Sequence, residues 1–415
     1  GEESDGGGDV LEKEDAKWEY SAPDIPTSHW IDQGFDENYI RGMGKFLIKI
    51  KDYTCALRNG TCSEDDDIVL GGGGANDPVL LHDDALLPHW QEFANALRLY
   101  QNPEASHLFA ICNVQLSSSV IDLLTPALKD KPIEVFGLFN NDSVNVREGI
   151  DFAVEIIQNN QRLTHFGWMN NSIEIVEDAT RLVEAIINHP LIDSIRLGSC
   201  FGENVDAYEV LCSLLSCNKE FSFIDLKSNN VRTGSRTEIP DYLATNPPLK
   251  YLNLAKNHLD DNDAVMIACA LKRNTKLQGL RLGQNDFTEE GGRAALRNAI
   301  YDSTSLKSVA GSNHSCSIVG IGFDHINNEK YSQVKVNRGR KIFNLLSSRH
   351  REGTNVRHLD SEFDDESLKL VPKVLDCVNN YAEHGSTDDV HPLSIVYEIL
   401  RSWKMPTLYE NNGAS

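Results

Sequence analysis

Along the middle of the chain, apolar and polar positions recur in a frame of 28–30 residues. Six stretches align, at 133–143, 163–173, 192–202, 221–231, 249–259 and 277–287. Each has apolar residues at its first, fourth and sixth positions and Asn or Cys at its ninth. A looser copy opens at Ala105, with Leu108, Ala110 and Asn113. A decayed one opens at Leu306, with Val309 and Gly311. The eight starts are 28, 30, 29, 29, 28, 28 and 29 residues apart. Alternation at positions four and six predicts a short strand with those two side chains in the core. The expected strands are 107–111, 135–139, 165–169, 194–198, 223–227, 251–255 and 279–283, parallel and each followed by a helix.

The second half of each frame supplies that helix. Val265, Ile267, Ala268 and Leu271 make one apolar face, and Val210, Leu211, Leu214 and Leu215 another; Ala295, Leu296, Ala299 and Ile300 repeat it. Acids gather at the helix starts (Asp206 and Glu209; Asp260, Asp261 and Asp263; Glu289 and Glu290), where they complement the positive end of the helix dipole. At position nine the chain leaves the strand, and backbone groups there need partners. Asn141, Asn171, Asn229, Asn257 and Asn285 have amides that donate and accept, so they are expected to build a ladder, with Cys200 replacing one rung. Asn274 is expected near a helix end, where water replaces its partners.

This pattern, L-x-x-L-x-L-x-x-N/C-x-L in a period above 25, is a leucine-rich repeat of the long, helix-containing kind. Residues 105–316 resemble ribonuclease-inhibitor-type repeats. LPHWQEFANAL (87–97), IPDYLATNPPLKYLNL (239–254), SLKSVAGSNHSC (305–316) and LSIVYEILRSWKMPTLYE (393–410) resemble a large uncharacterised leucine-rich-repeat family of diatom genomes. The resemblance implies an α/β solenoid of about eight repeats, with parallel strands on a concave face, helices outside and helical caps. It implies no mechanism.

Three regions follow. Residues 1–76 hold an acidic arm, a helix over 36–57 and a linker of Glu64–Asp67 followed by Gly71–Gly74. Residues 77–333 hold the solenoid, led by a degenerate capping repeat with Trp90, Phe93, Ala94 and Leu97. Residues 334–415 form a helical cap, with helices expected at 338–349, 366–381 and 392–403; Pro392 suits a first helical turn.

Charge narrows the partners. Lys and Arg number 39 against 62 Asp and Glu, a net −23. Such a field repels nucleic acid and anionic lipid, so neither is expected as a partner. No apolar run approaches a membrane span, and the opening stretch does not read as a signal peptide. The nine cysteines are scattered and form no CxxC pair, which reads as buried thiols in an intracellular, reducing compartment, either cytoplasm or an organelle reached after cleavage of a targeting segment. Cys55 and Cys62 either close a small loop or stay free. Sequons at Asn59, Asn141, Asn170 and Asn313 matter only in a secreted protein.

Candidate chemistry is sparse. Gly71–Gly74 lacks the Gly-Lys-Ser/Thr of a phosphate-cradling loop and has acidic neighbours. Asp261-Asn262-Asp263 lacks the Gly and distal Glu of a calcium loop, and Asp65–Asp67 is a solvated charge run. No HExxH or GxSxG occurs. The expectation is therefore no enzyme, with no catalytic, metal or cofactor residue and no cofactor.

The remaining candidate is the strand face opposite the helices. Its first zone is apolar: His107, Phe109, Ile111, Val135, Phe139, His165 and Met169, with Glu134 its only charge. Its second zone offers Arg196, Lys227, Lys250, Lys256, Arg281 and Lys307 against Asp193 and Asp225, beside Phe223 and Tyr251. Exposed apolar strand residues mark binding surfaces, unless the chain's own N-terminal region covers them. The reading is a non-enzymatic module that binds a partner protein on the concave face. The alternatives are a regulator of an enzyme, such as a small-GTPase activator, and a fixed subunit of a larger assembly. The acidic arm, with Trp18 and Tyr20 as aromatic anchors, either docks on the basic zone or floats.

Overall fold

Positions four and six of the frame become the buried side of short parallel strands. The computed structural model describes residues 18–62, 67–72, 74, 77–100, 107–141, 145–322, 334–362, 371–383 and 391–402. They fall into two units, 1–133 with 140–160 and 134–139 with 161–415.

The first unit holds α1 (Thr27–Asp32), α2 (Glu37–Asn59), β1 (Ile68–Gly71), α3 (Leu87–Leu99), β2 (His107–Cys112), α4 (Ser118–Leu128) and α5 (Val146–Asn159). The expected helix over 36–57 is thus present. Asp36 starts α2 by accepting the Tyr39 N–H at 2.8 Å, and left-handed Gly60 ends it. Met43, Phe46, Ile50 and Leu57 form its buried face. A chain of rings continues that core: Phe46 on Trp90, Trp90 on Phe93, and Phe93 stacked on Phe109 at 6.3 Å.

Two expectations change here. Ile68–Gly71, inside the expected linker between its acidic run and its glycines and including Gly71, is a strand that pairs in parallel with β2, Ile68 opposite Phe109 and Leu70 opposite Ile111. The looser repeat also runs one residue later than the frame from Ala105 predicts. Phe109 and Ile111 are therefore its fourth and sixth residues and lie buried, while Leu108 takes the opposite side. A slip of one residue exchanges the two faces of a strand.

Trp18 and Tyr20 belong to this unit as well. Trp18 lies 5.2 Å beneath the Arg58 guanidinium, and Tyr20 lies beneath the Lys51 ammonium while hydrogen-bonding His89 at 2.6 Å. These two anchors thus rest on α2 and α3 and not on the basic strand zone. Residues 1–17 of the arm, and Glu64–Asp66 of the acidic run, lie outside the described residues. No disulfide joins Cys55 and Cys62.

The second unit holds β3 (Ile133–Phe139), β4 (His165–Met169), α6 (Val176–Asn188), β5 (Ser194–Arg196), α7 (Ala207–Ser216), β6 (Phe223–Asp225), α8 (Glu238–Ala244), β7 (Tyr251–Asn253), α9 (Asp261–Leu271), β8 (Gly279–Arg281), α10 (Ala294–Ile300), α11 (Leu306–Gly311) and β9 (Ser317–Val319). Strands β3 to β9 pair in chain order, all parallel. Phe166, Trp168, Ile195, Leu197, Ile224, Leu226, Leu252 and Leu280 point to the helices and are buried.

Strands β3 and β4 reach their expected ends, whereas β5 to β8 stop two residues before theirs; in all six frames position eight is left-handed. Asn140, Asn170, Ser199, Ser228, Lys256 and Gln284 have φ between 52° and 59°. That twist turns position nine inward, and the ladder forms there. The Asn257 Oδ1 accepts the Asn229 and Val231 N–H groups, while its Nδ2 donates to the Leu226 and Leu254 carbonyls at 3.0 and 3.1 Å. Asn229 and Asn285 repeat this, and Cys200 replaces a rung by donating its thiol to the Leu197 carbonyl.

A second polar series enters the strands. Asn274 is buried, contrary to its expected wet position. Its Oδ1 accepts the Lys276 and Leu277 N–H groups, and its Nδ2 donates to the Leu243 carbonyl at 2.8 Å. Asn313 accepts the Ser315 and Cys316 N–H groups in the same way, and His189 uses Nδ1 for Leu191 and Ile192. Asn313 therefore belongs to this series. The decayed repeat shifts with it: 306–311 is helix α11, and the strand is β9, behind Asn313. Of the sequon asparagines, Asn141 and Asn313 are buried.

Four helices follow: α12 (Val334–Arg351), α13 (Asn355–Glu362), α14 (Val371–Glu383) and α15 (Pro392–Ser402). The pattern had given three and missed α13. Ile342, Phe343 and Leu346 of α12, Leu359, Val374 and Ile395 cluster with Leu306 and Val309 of α11. Arg349 and Glu362 close the cluster with two hydrogen bonds of 3.1 and 2.9 Å. Among the described residues no helix is long and apolar enough to cross a membrane.

Candidate functional site

Three rows of side chains stand on the strand face away from the helices. The register fixes them. Val135, His165, Ser194, Phe223, Tyr251 and Gly279 lie side by side in the first row. Gly137, Gly167, Arg196, Asp225, Asn253 and Arg281 form the second. Phe139 and Met169 begin the third, which passes Gly198 and Lys227.

Glycines set how the large side chains lie. The Phe139 ring occupies the space that a Cβ on Gly137 or Gly167 would need, so it lies flat on the sheet. The Tyr251 ring covers Gly279, where a Cβ would come within 2.6 Å of it. The Met169 methyl sits over Gly198, 3.0 Å from the corresponding position. Rings held flat by the backbone lose little conformational freedom on binding.

The charged half is equally ordered. The Arg196 guanidinium lies 5.4 Å from the centre of the Phe223 ring, and that ring is 6.1 Å from Tyr251. Asp225 is buried; its carboxylate accepts the Lys227 N–H at 2.9 Å and the Asn253 amide at 2.9 Å. Its charge is thereby tied into the sheet, while Arg196, Lys250, Lys256 and Arg281 are exposed. Tyr251 is 41% exposed. His165 is exposed and shares a 2.8 Å hydrogen bond with Thr164. Val135, Phe139, Met169, Phe223 and Lys227 are half-buried.

The expected set is thus brought together only in part. His107 is buried and bonded to the Tyr100 hydroxyl at 2.8 Å, and Phe109 and Ile111 are core residues. Lys307 is on helix α11. The glycine platforms and the Asp225–Asn253 pair were not anticipated; the signal available for the platforms was Gly at an outward position with an aromatic residue in the same or the preceding frame. Buried thiols are chemically quiet here, with desolvation raising Cys200 well above the usual range and pushing Cys316 up to about 12. Among the described residues no group of three or more His, Cys, Asp or Glu is placed to hold a metal ion.

Residues 245–268 match the family model described as Leucine Rich repeat. The human protein "NACHT, LRR and PYD domains-containing protein 13" is 22% identical over 340 residues, which cover 70% of this chain; the chain spans 31% of that relative's length. Among solved structures, leiomodin-1 actin-binding site 2 is similar at a TM-score of 0.25 and 16% identity, over 49% of this chain and 95% of that one. The repeat match and the parallel strands alternating with helices support a leucine-rich-repeat protein with an α/β solenoid fold. Leucine-rich-repeat domains generally mediate protein–protein interaction.

Proposed function

We propose that the strand face of the second unit, the concave face of a leucine-rich-repeat solenoid, binds a partner protein without catalysis of its own. The observation that carries this reading is the group of exposed Arg196, Tyr251 and Arg281 around half-buried Phe223, on the outward side of β5 to β8. Arg and Tyr are the residue types that dominate binding energy at protein interfaces, and here Arg196 is held beside the Phe223 ring and Tyr251 over Gly279. The cations Arg196, Lys250, Lys256 and Arg281 favour an acidic partner surface and orient its approach. The apolar patch of Phe139 and Met169 extends the contact along the same face. The 28–30-residue spacing and the intervening helices also favour the ribonuclease-inhibitor type of repeat, and the four stretches quoted above favour a diatom-like lineage.

The test is capture from native extract, with mass spectrometry of what survives a salt wash. A protein retained by the wild type and by Val265→Ser, on the helix side, but lost from Arg196→Ala/Tyr251→Ala supports the reading. Retention by all three contradicts it.

A further inference from the structure

A chain of net charge −23 carries, among its described residues, a cavity walled by cations. It lies in the first unit and encloses about 270 Å³. Asn38, Arg41, Lys45 and Lys49 of α2 form one wall; spacings of three and four residues put all four on a single helix face. Gly71 and Gly72, at the end of β1, and Asp77 form the opposite wall.

The groups in this cavity differ in how they are engaged. Lys49 is half-buried, and its ammonium donates to the Gly71 carbonyl at 3.0 Å and the Val69 carbonyl at 3.5 Å. It meets no carboxylate among the described residues. The side chains of Asn38, Arg41 and Lys45 make no hydrogen bond or ion pair with a described residue. Asp77 is the one acid in the lining, and its carboxylate accepts the Gly74 N–H at 2.8 Å. Arg41, Lys45 and Lys49 against Asp77 leave the walls at 3 − 1 = +2.

The opposite wall is closely fitted. Gly71 is left-handed at φ +84°, and a Cβ there would overlap the Cys112 carbonyl oxygen. At Gly72 a Cβ would come within 2.5 Å of the Asp77 carboxylate, while the Gly72 carbonyl accepts the Asn113 amide at 2.7 Å. The glycine run lacks a lysine in its own sequence, and helix α2 supplies the cations instead.

We propose that this cavity is a binding site for a small phosphate-bearing anion. Two cations without a partner among the described residues, and a third held by carbonyls, attract a ligand of two or more negative charges. Arg41 offers a planar fork matched to phosphate oxygens, with the lysines as point charges along about 12 Å of helix. The volume lies just below the range of drug-sized ligands, which suits one or two phosphate groups.

Isothermal titration calorimetry of the full chain with inorganic pyrophosphate tests the site. The expected result is saturable one-site binding that weakens with added salt. In Arg41→Ala/Lys45→Ala the affinity falls at least about tenfold, since charge-assisted hydrogen bonds are removed. Both side chains are exposed and have no partner among the described residues, so a thermal melt should show the variant folded like the wild type. Arg281→Ala, in the other unit, should bind as the wild type does. The proposal is overturned by equal affinity in the double variant, by an equal loss in Arg281→Ala, or by no saturable heat up to roughly 10 mM.

Discussion

The Arg196 guanidinium and the Phe223 ring, on neighbouring strands, are held 5.4 Å apart on the outward side of the sheet. A cation over a ring at an exposed site contributes about 0.5–1 kcal/mol, so the pair adds little to the fold. It does fix the direction in which the guanidinium is presented. Tyr251, beside Phe223, is held flat over Gly279 in the same way.

Arg196→Ala and Tyr251→Ala should therefore leave stability within about 1 kcal/mol of the wild type, measured by urea denaturation. A loss of several kcal/mol in either would mean that the row belongs to the core and is not a free surface.

The two asparagine series give a second expectation. Asn257→Ala and Asn274→Ala each orphan buried backbone groups and should each cost about 1–3 kcal/mol. Asn298→Ala, on the exposed side of α10, should be near neutral. A midpoint for Asn274→Ala equal to that of Asn298→Ala would remove the strand-entry role assigned to Asn274.

Glycine conformation supplies a third. Gly34 and Gly71 are both left-handed, at φ +86° and +84°. A Cβ on Gly34 meets open space, so Gly34→Ala should cost about 1–2 kcal/mol of backbone strain. A Cβ on Gly71 meets the Cys112 carbonyl oxygen, so Gly71→Ala should cost distinctly more and loosen β1 from β2. Equal denaturation midpoints would contradict the close packing of those strands.

Much of this was legible in the sequence because the repeat constrains it so often. Positions one, four and six are apolar in six frames, and the strands β3 to β8 sit where those positions place them. The register at β2 was not legible from alternation alone, since Leu108-Ala110 and Phe109-Ile111 alternate equally well. Asn113 settles it: its left-handed φ of 55° matches that of Asn140 and Asn170, each at position eight. Strand β1 was hidden because Ile68-Val69-Leu70 is short and flanked by acids and glycines. At the far end, Asn313 precedes Cys316 as Asn274 precedes Leu277, a spacing that marks the strand entry better than the apolar residues of 306–311. The glycine platforms under Phe139 and Tyr251 depend on contacts between frames, which one frame read alone does not reveal.

Lys341 gives a prediction in pH. It is fully buried, donates to the Asn313 carbonyl at 2.7 Å, and is pushed down to about 7 by burial and by Arg340. In the unfolded chain the same amine keeps its ordinary value of 10.5. Between those values the unfolded chain binds one proton more, so stability rises with pH from about 7 to about 10.5. Lys341→Met should flatten that slope and be more stable than the wild type near neutrality. Parallel pH profiles for the two proteins would show that the amine is charged when folded.

The central claim, that the strand face of the second unit binds protein, is tested most directly by photo-cross-linking in native extract. Benzoylphenylalanine would replace Tyr251 in one protein and exposed Cys269, on helix α9, in another. The account predicts a discrete adduct from position 251 that is lost in Arg196→Ala and weakened by salt, with none from position 269. The same adducts from both positions, or a discrete adduct from position 269 alone, would contradict it.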